Sequence, residues 1–165
     1  VRRFYRNQIW PEYNPIGGGG IASRMSVERI LTRIKHEEGF SPCSFWDDAK
    51  GGGKGQWTFG YGTCAPGPDC HITEAQADAE LRVILTMRLA DFHDIFDGTP
   101  IPERKAEALI DMLYNLGETR FRNFKKMIAA VKAGDWKEAG LQIRLSLYHG
   151  QVPVRAEENA RILEA

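Results

Sequence analysis

Val27, Ile30, Leu31 and Ile34 recur at helical spacing. They predict a first helix opened by Ser26 as its N-cap and ended near Gly39. The stretch QWTFGYG alternates instead. Trp57, Phe59 and Tyr61 share one face and Gln56 and Thr58 the other, which is the period of a strand. KGGGKG before it reads as a turn, so residues 45–63 predict a small twisted hairpin or three-stranded sheet. After Thr73 the pattern is helical to the end. Thr73 and Gln76 fit a capping box, opening a helix through Leu85 and beyond. Pro102 suits a first helical position, and the helix it starts runs to Gly117. Ala106, Ala108, Leu109, Ile110, Met112, Leu113 and Leu116 make that helix apolar nearly all round, so it belongs at the centre of a bundle. Phe121, Phe124, Ile128 and Val131 stripe the next helix, which Gly134 stops. Asp135 and Glu138 open another toward Tyr148, and Pro153 starts a last one ending near Ala165. The outline is a helix, a small sheet, then about five helices: an α+β protein, mostly α.

Composition narrows the class. The chain has 165 residues, enough for one compact domain with a short appendage. With 42% hydrophobic and 27% charged residues it is neither wholly disordered nor collagen-like. Lys plus Arg and Asp plus Glu are both 22, so no bulk electrostatic grip on nucleic acid or anionic membrane is indicated. No apolar run reaches the ~18 residues of a transmembrane helix. The N-terminal stretch lacks the apolar core of a secretory signal, and the chain does not start on Met, which points to a processed product or an excised domain. Residues 1–22 read as a flexible appendage: Arg2, Arg3 and Arg6 interleave with Phe4, Tyr5, Trp10 and Tyr13, and Gly17 to Gly20 follow. A partner-binding arm and a plain linker both fit. Residues 23–165 form the expected domain.

Cys43, Cys64 and Cys70 are too few, and odd in number, for a disulfide framework. Cys64 and Cys70 flank APGPD, so two free thiols and one local disulfide both stay open. His36, His71, His93 and His149 show no metal-ligand spacing with one another or with a Cys pair, so no zinc site is expected.

Chemistry points to the end of the first helix. At about 100° per residue, Glu38 falls roughly 30° from the centre of the apolar stripe and Glu37 roughly 70° away. Glu38 therefore faces the core side, where a carboxylate is costly unless paired or useful, and Glu37 faces water. The helix dipole also disfavours an acid there. Such a local inconsistency is characteristic of functional sites, though a structural ion pair explains it as well. Asp47 and Asp48 follow on a loop expected to enter the sheet. Hydrolysis of a glycoside needs two carboxyl groups, a protonated donor and a base or nucleophile, and Glu38 with Asp47 would supply that asymmetry.

The runs KHEEGF, FWDD and QWTFGYG resemble the phage-type lysozymes, glycoside hydrolase family 24. ALIDMLYNLGETRF, FKKMIAAVKAGDWKEA and SLYHGQVPVRA continue the resemblance in order, over about residues 24–160. It implies a lysozyme-like fold and a muramidase acting on the glycan of peptidoglycan. It places the catalytic acid at Glu38, the second carboxylate at Asp47 and a water-binding Thr at Thr58. It further implies an Arg paired with the acid at Arg155, and cleft residues at Tyr114, Asn115 and Gln142. Asp47 and Thr58 lie eleven residues apart, a longer spacing than the family's, and GGGKG reads as an insertion. Asp48 is therefore a rival for Asp47. Thr63 stands where the family has a customary His. A cation beside Glu38 favours its ionised form while burial favours the protonated acid, so Arg155 sets a tension that a working site must resolve. The implied partner is peptidoglycan and not nucleic acid. The implied protein is either an endolysin or a lytic domain of a larger protein, made in the host bacterial cytoplasm and acting at the cell wall; a monomer is the default expectation. A lytic transglycosylase and a catalytically inactive wall-binding module are the alternatives.

Overall fold

A computed structural model describes residues 24–48 and 54–165. Their elements run α1 (Arg24–Glu38), β1 (Ser41–Asp47), β2 (Gln56–Gly60), β3 (Thr63–Cys64), α2 (Glu74–Phe96), α3 (Glu103–Leu116), α4 (Glu118–Phe121), α5 (Lys125–Ala133), α6 (Trp136–Arg144), α7 (Leu147–Gln151) and α8 (Pro153–Glu164). This is the mostly helical α+β arrangement that the patterning predicts. The N-terminal appendage and most of the glycine-rich turn fall outside the described residues.

Ile30, Leu31 and Ile34 seat α1 in the core. The helix begins at Arg24, so Ser26 lies in its first turn and is not its cap. At the other end Gly39 takes φ +67 and its N–H donates to the Lys35 carbonyl at 3.0 Å. That left-handed stop suits glycine, and it turns the chain sharply from Glu38 into β1. The three strands form one antiparallel sheet in the order β1-β2-β3. Phe45 faces Thr58, Trp46 faces Trp57 and Asp47 faces Gln56 across the first pair.

The capping box of Thr73 and Gln76 is present, and α2 then runs unbroken for 23 residues. Its far end holds because Phe92, Ile95 and Phe96 are buried. The central helix is α3, which packs against α1, α2, α4 and α8. Leu109, Ile110, Met112 and Leu113 are fully buried there, each stabilising the fold by about 1.5–3 kcal/mol. Pro102 is the N-cap of α3, one position before the helix proper. The helix is not wholly apolar, because Asp111 sits among these residues with 0% exposure.

Two expected helices are each divided. The stripe from Phe121 to Val131 spans α4 and α5. In one continuous helix Phe121 and Phe124 would share a face. The break lets Phe121 pack on Phe96 (ring centroids 6.2 Å apart) and Phe124 on Tyr148 (6.3 Å). The helix opened by Asp135 stops at Arg144, and Ser146 caps a new one, accepting from the His149 N–H at 3.4 Å. Tyr148 therefore belongs to α7. Gly134 stops α5 in a left-handed conformation, and Pro153 opens α8, as expected. Cys43, Cys64 and Cys70 are free thiols.

Candidate active site

Glu38 is the last residue of α1, and its side chain keeps 15% exposure. Glu37 beside it is exposed, the division that the helical phase predicts. Glu38 opens into a cleft of about 230 Å³ between the helix end and the sheet, where Phe40, Phe45, Asp47 and Thr58 also form the wall. Asp47 reaches it from the end of β1. Thr58 reaches it from the middle of β2, fully buried, with Oγ1 only 3.4 Å from the Gln56 carbonyl. Asp48 is turned elsewhere. It is exposed and accepts the Trp46 indole N–H at 2.7 Å. Trp46 in turn meets Trp57 edge-on, on the strand face opposite Phe45 and Thr58.

Arg155, on the first turn of α8, donates from Nη1 to Glu38 Oε1 at 2.7 Å. The same guanidinium donates from Nε to Asp111 Oδ2 at 3.0 Å and from Nη2 to Asp111 Oδ1 at 2.8 Å. This bidentate fork fixes the orientation of Arg155, whose side chain is only 7% exposed. Burial opposes the Arg155 charge. Hydrogen bonds to Asp111 and then Glu38 more than offset it, so the group is held above its ordinary range. Asn159 Nδ2 donates to Asp111 Oδ2 at 3.0 Å and to the Tyr148 hydroxyl at 3.3 Å. Arg33 closes the cluster, donating to Asn159 Oδ1 at 2.9 Å with its Nε 3.9 Å from Asp111 Oδ1. Burial, and next the Asp111 charge, push the Tyr148 hydroxyl up to about 12.

Tyr114 lies beside this cluster and is partly buried. Its hydroxyl donates to the Tyr61 carbonyl at 3.1 Å, tying α3 to the turn after β2. Burial, then the negative charge of Glu38, raises its proton affinity. Asn115 is exposed at the end of α3. Gln142 on α6 donates to Glu138 Oε1 at 2.7 Å. Tyr114, Asn115 and Gln142 do not line the cleft that holds Glu38.

Asp111, Asn159 and Arg33 were not singled out by sequence reasoning. A signal for Asp111 existed: an acid inside a helix otherwise apolar must be buried, and a buried acid needs a cation. Asn159 and Arg33 gave no such signal, since both suit a helix surface. Among the described residues no group of three or more His, Cys, Asp or Glu side chains could hold a metal ion. No helix among them is long and apolar enough to cross a membrane.

Two carboxylates opening into one cleft, on a helix end and a small sheet, is a layout suited to glycoside hydrolysis. Residues 35–157 match the phage lysozyme family, and the chain belongs to it. It is thus a muramidase-type peptidoglycan hydrolase by family. Comparison with curated proteins finds no relative.

Proposed function

We propose that this protein hydrolyses the β-1,4 bond between N-acetylmuramic acid and N-acetylglucosamine in peptidoglycan. The observation that carries this reading is the shared cleft of Glu38, Asp47 and Thr58. Glu38 gives its proton to the glycosidic oxygen as the anomeric C–O bond breaks, and the bonding pair leaves with that oxygen. Asp47 takes a proton from a water whose oxygen bonds to the anomeric carbon from the opposite face. Thr58 hydrogen-bonds that water. The product is inverted, which calls for carboxyl groups roughly 6.5–9.5 Å apart. The family resemblance is what supports a glycan-binding role for Tyr114, Asn115 and Gln142, outside the cleft that holds Glu38, and no cofactor enters any step. The protein acts as a monomer on the cell wall, after synthesis in the host bacterial cytoplasm, as a phage endolysin or the lytic part of a larger protein.

The test is end-group analysis of digested, purified peptidoglycan. Hydrolysis leaves reducing N-acetylmuramic acid ends, formed first as the α-anomer. Anhydro ends would instead make the protein a lytic transglycosylase. Wall binding by a folded protein without cleavage would leave it a binding module.

A further inference from the structure

A general acid must hold its proton until the substrate takes it, and a bare cation at 2.7 Å works against that. The geometry points to Asp111 as the residue that resolves this conflict, a positioning residue whose buried negative charge occupies Arg155 and offsets the pull of that cation on Glu38. This inference rests on the acid role proposed for Glu38.

Arg155 directs two donors at Asp111 and one at Glu38. The bidentate side is the completely buried one: Asp111 has 0% exposure, against 15% for Glu38. Charge pairing is least screened where water is excluded, so the Arg155 charge is matched mainly from the Asp111 side. Glu38 then meets a cation that is already paired. Arg155 contacts only Oε1 of Glu38, so this contact does not occupy Oε2.

The surroundings fit the assignment. Asp111 accepts a third hydrogen bond, from Asn159, which holds its carboxylate in place against Arg155. On α3 the other titratable group near Glu38 is Tyr114, which stays neutral and adds no charge. From α8 come Arg155 and Glu158, and Glu158 meets Arg33 of α1 at 3.5 Å. From α7 comes neutral Tyr148, which meets Asp111 through Asn159. From β1 comes Asp47, across the cleft. Arg33 lies 3.9 Å from Asp111 and also engages Glu158 and Asn159, so it does not cancel Asp111 alone.

The experiment combines carboxyl ¹³C NMR titration with pH–rate profiles on purified peptidoglycan, for wild type, Asp111→Asn and Asn159→Ala. In Asp111→Asn the Glu38 titration midpoint should fall by on the order of 1 pH unit, because Arg155 is left unmatched. The alkaline limb of the rate profile should fall by the same amount. Asn159→Ala removes a hydrogen bond but no charge, so it should lower stability and leave the limb in place. In wild type the Asp111 carbon signal should stay flat over the pH span in which Glu38 titrates. The proposal is overturned by an unmoved Glu38 midpoint in folded Asp111→Asn, by an equal limb shift in Asn159→Ala, or by Asp111 titrating together with Glu38. If Asp111→Asn does not fold, the wild-type titration decides. A shifted Glu38 midpoint in a protein whose wild type cleaves nothing would sink the hydrolase reading and leave this coupling standing.

Discussion

Arg155 joins Asp111 through two nitrogens and Glu38 through one, so a single buried guanidinium links the central helix to the cleft. Three elements far apart in sequence meet there: the end of α1, the middle of α3 and the start of α8. Removing the cation does more than loosen Glu38. It strands Asp111, fully buried, without its main counter-charge. Breaking a buried pair in this way costs about 3–5 kcal/mol. Arg155→Ala should therefore lose stability by that amount, read from denaturant unfolding, and the fraction that stays folded should keep measurable hydrolysis. A variant with native stability and no activity would contradict this ranking.

Asp47 and Asp48 are separable by mutation because their surroundings differ. Asp47 opens into the cleft with Glu38, while Asp48 holds the Trp46 indole outside it. Asp47→Asn should lower kcat by about 10²–10⁴-fold, the usual range for a lost acid–base group. Asp48→Asn should change kcat less than about threefold, as expected for loss of one exposed hydrogen bond. A large loss in Asp48→Asn with Asp47→Asn close to wild type, measured as sugar release from folded proteins, would assign the second carboxylate role to Asp48.

Acid stability has a separate source. Glu157 on α8 accepts from Arg144 at 2.9 Å and from Arg161 at 2.9 Å. The Arg144 hydrogen bond, chiefly, lowers the Glu157 carboxyl from 4.5 to about 2. A carboxyl lowered on folding contributes stability above its unfolded value and loses it as pH falls through the folded one. The Tm advantage of wild type over Glu157→Gln should therefore be full at neutral pH. It should shrink as pH falls from 4.5 to about 2. The pair is partly exposed, so added salt should reduce the advantage. A difference that is constant with pH would contradict the assignment.

The elements set by local rules were legible in the sequence. The capping box at Thr73, the stop at Gly134 and the start at Pro153 depend on residues within one turn of themselves. The orientation of Glu38 against Glu37 followed from helical phase alone. The helix breaks near Phe124 and Leu145 were not legible, because Phe121, Phe124 and Tyr148 choose partners in distant elements. The same holds for the charged cluster. Asp111 lies 44 residues from Arg155 and 48 from Asn159, and nothing local announces either pairing. Asp111 alone betrayed itself, as an acid on an otherwise apolar helix.

The role proposed for Glu38, the acid of a peptidoglycan hydrolase, can be separated from its part in the fold. Glu38→Gln keeps a carbonyl oxygen to accept from Arg155 Nη1, so it should fold as wild type does. The decisive measurement is the rate of reducing-end formation from purified peptidoglycan by the two proteins, with folding checked by circular dichroism. Wild type should generate reducing ends, and Glu38→Gln should do so about 10²–10⁴-fold more slowly. A folded Glu38→Gln that cuts at the wild-type rate would contradict the account.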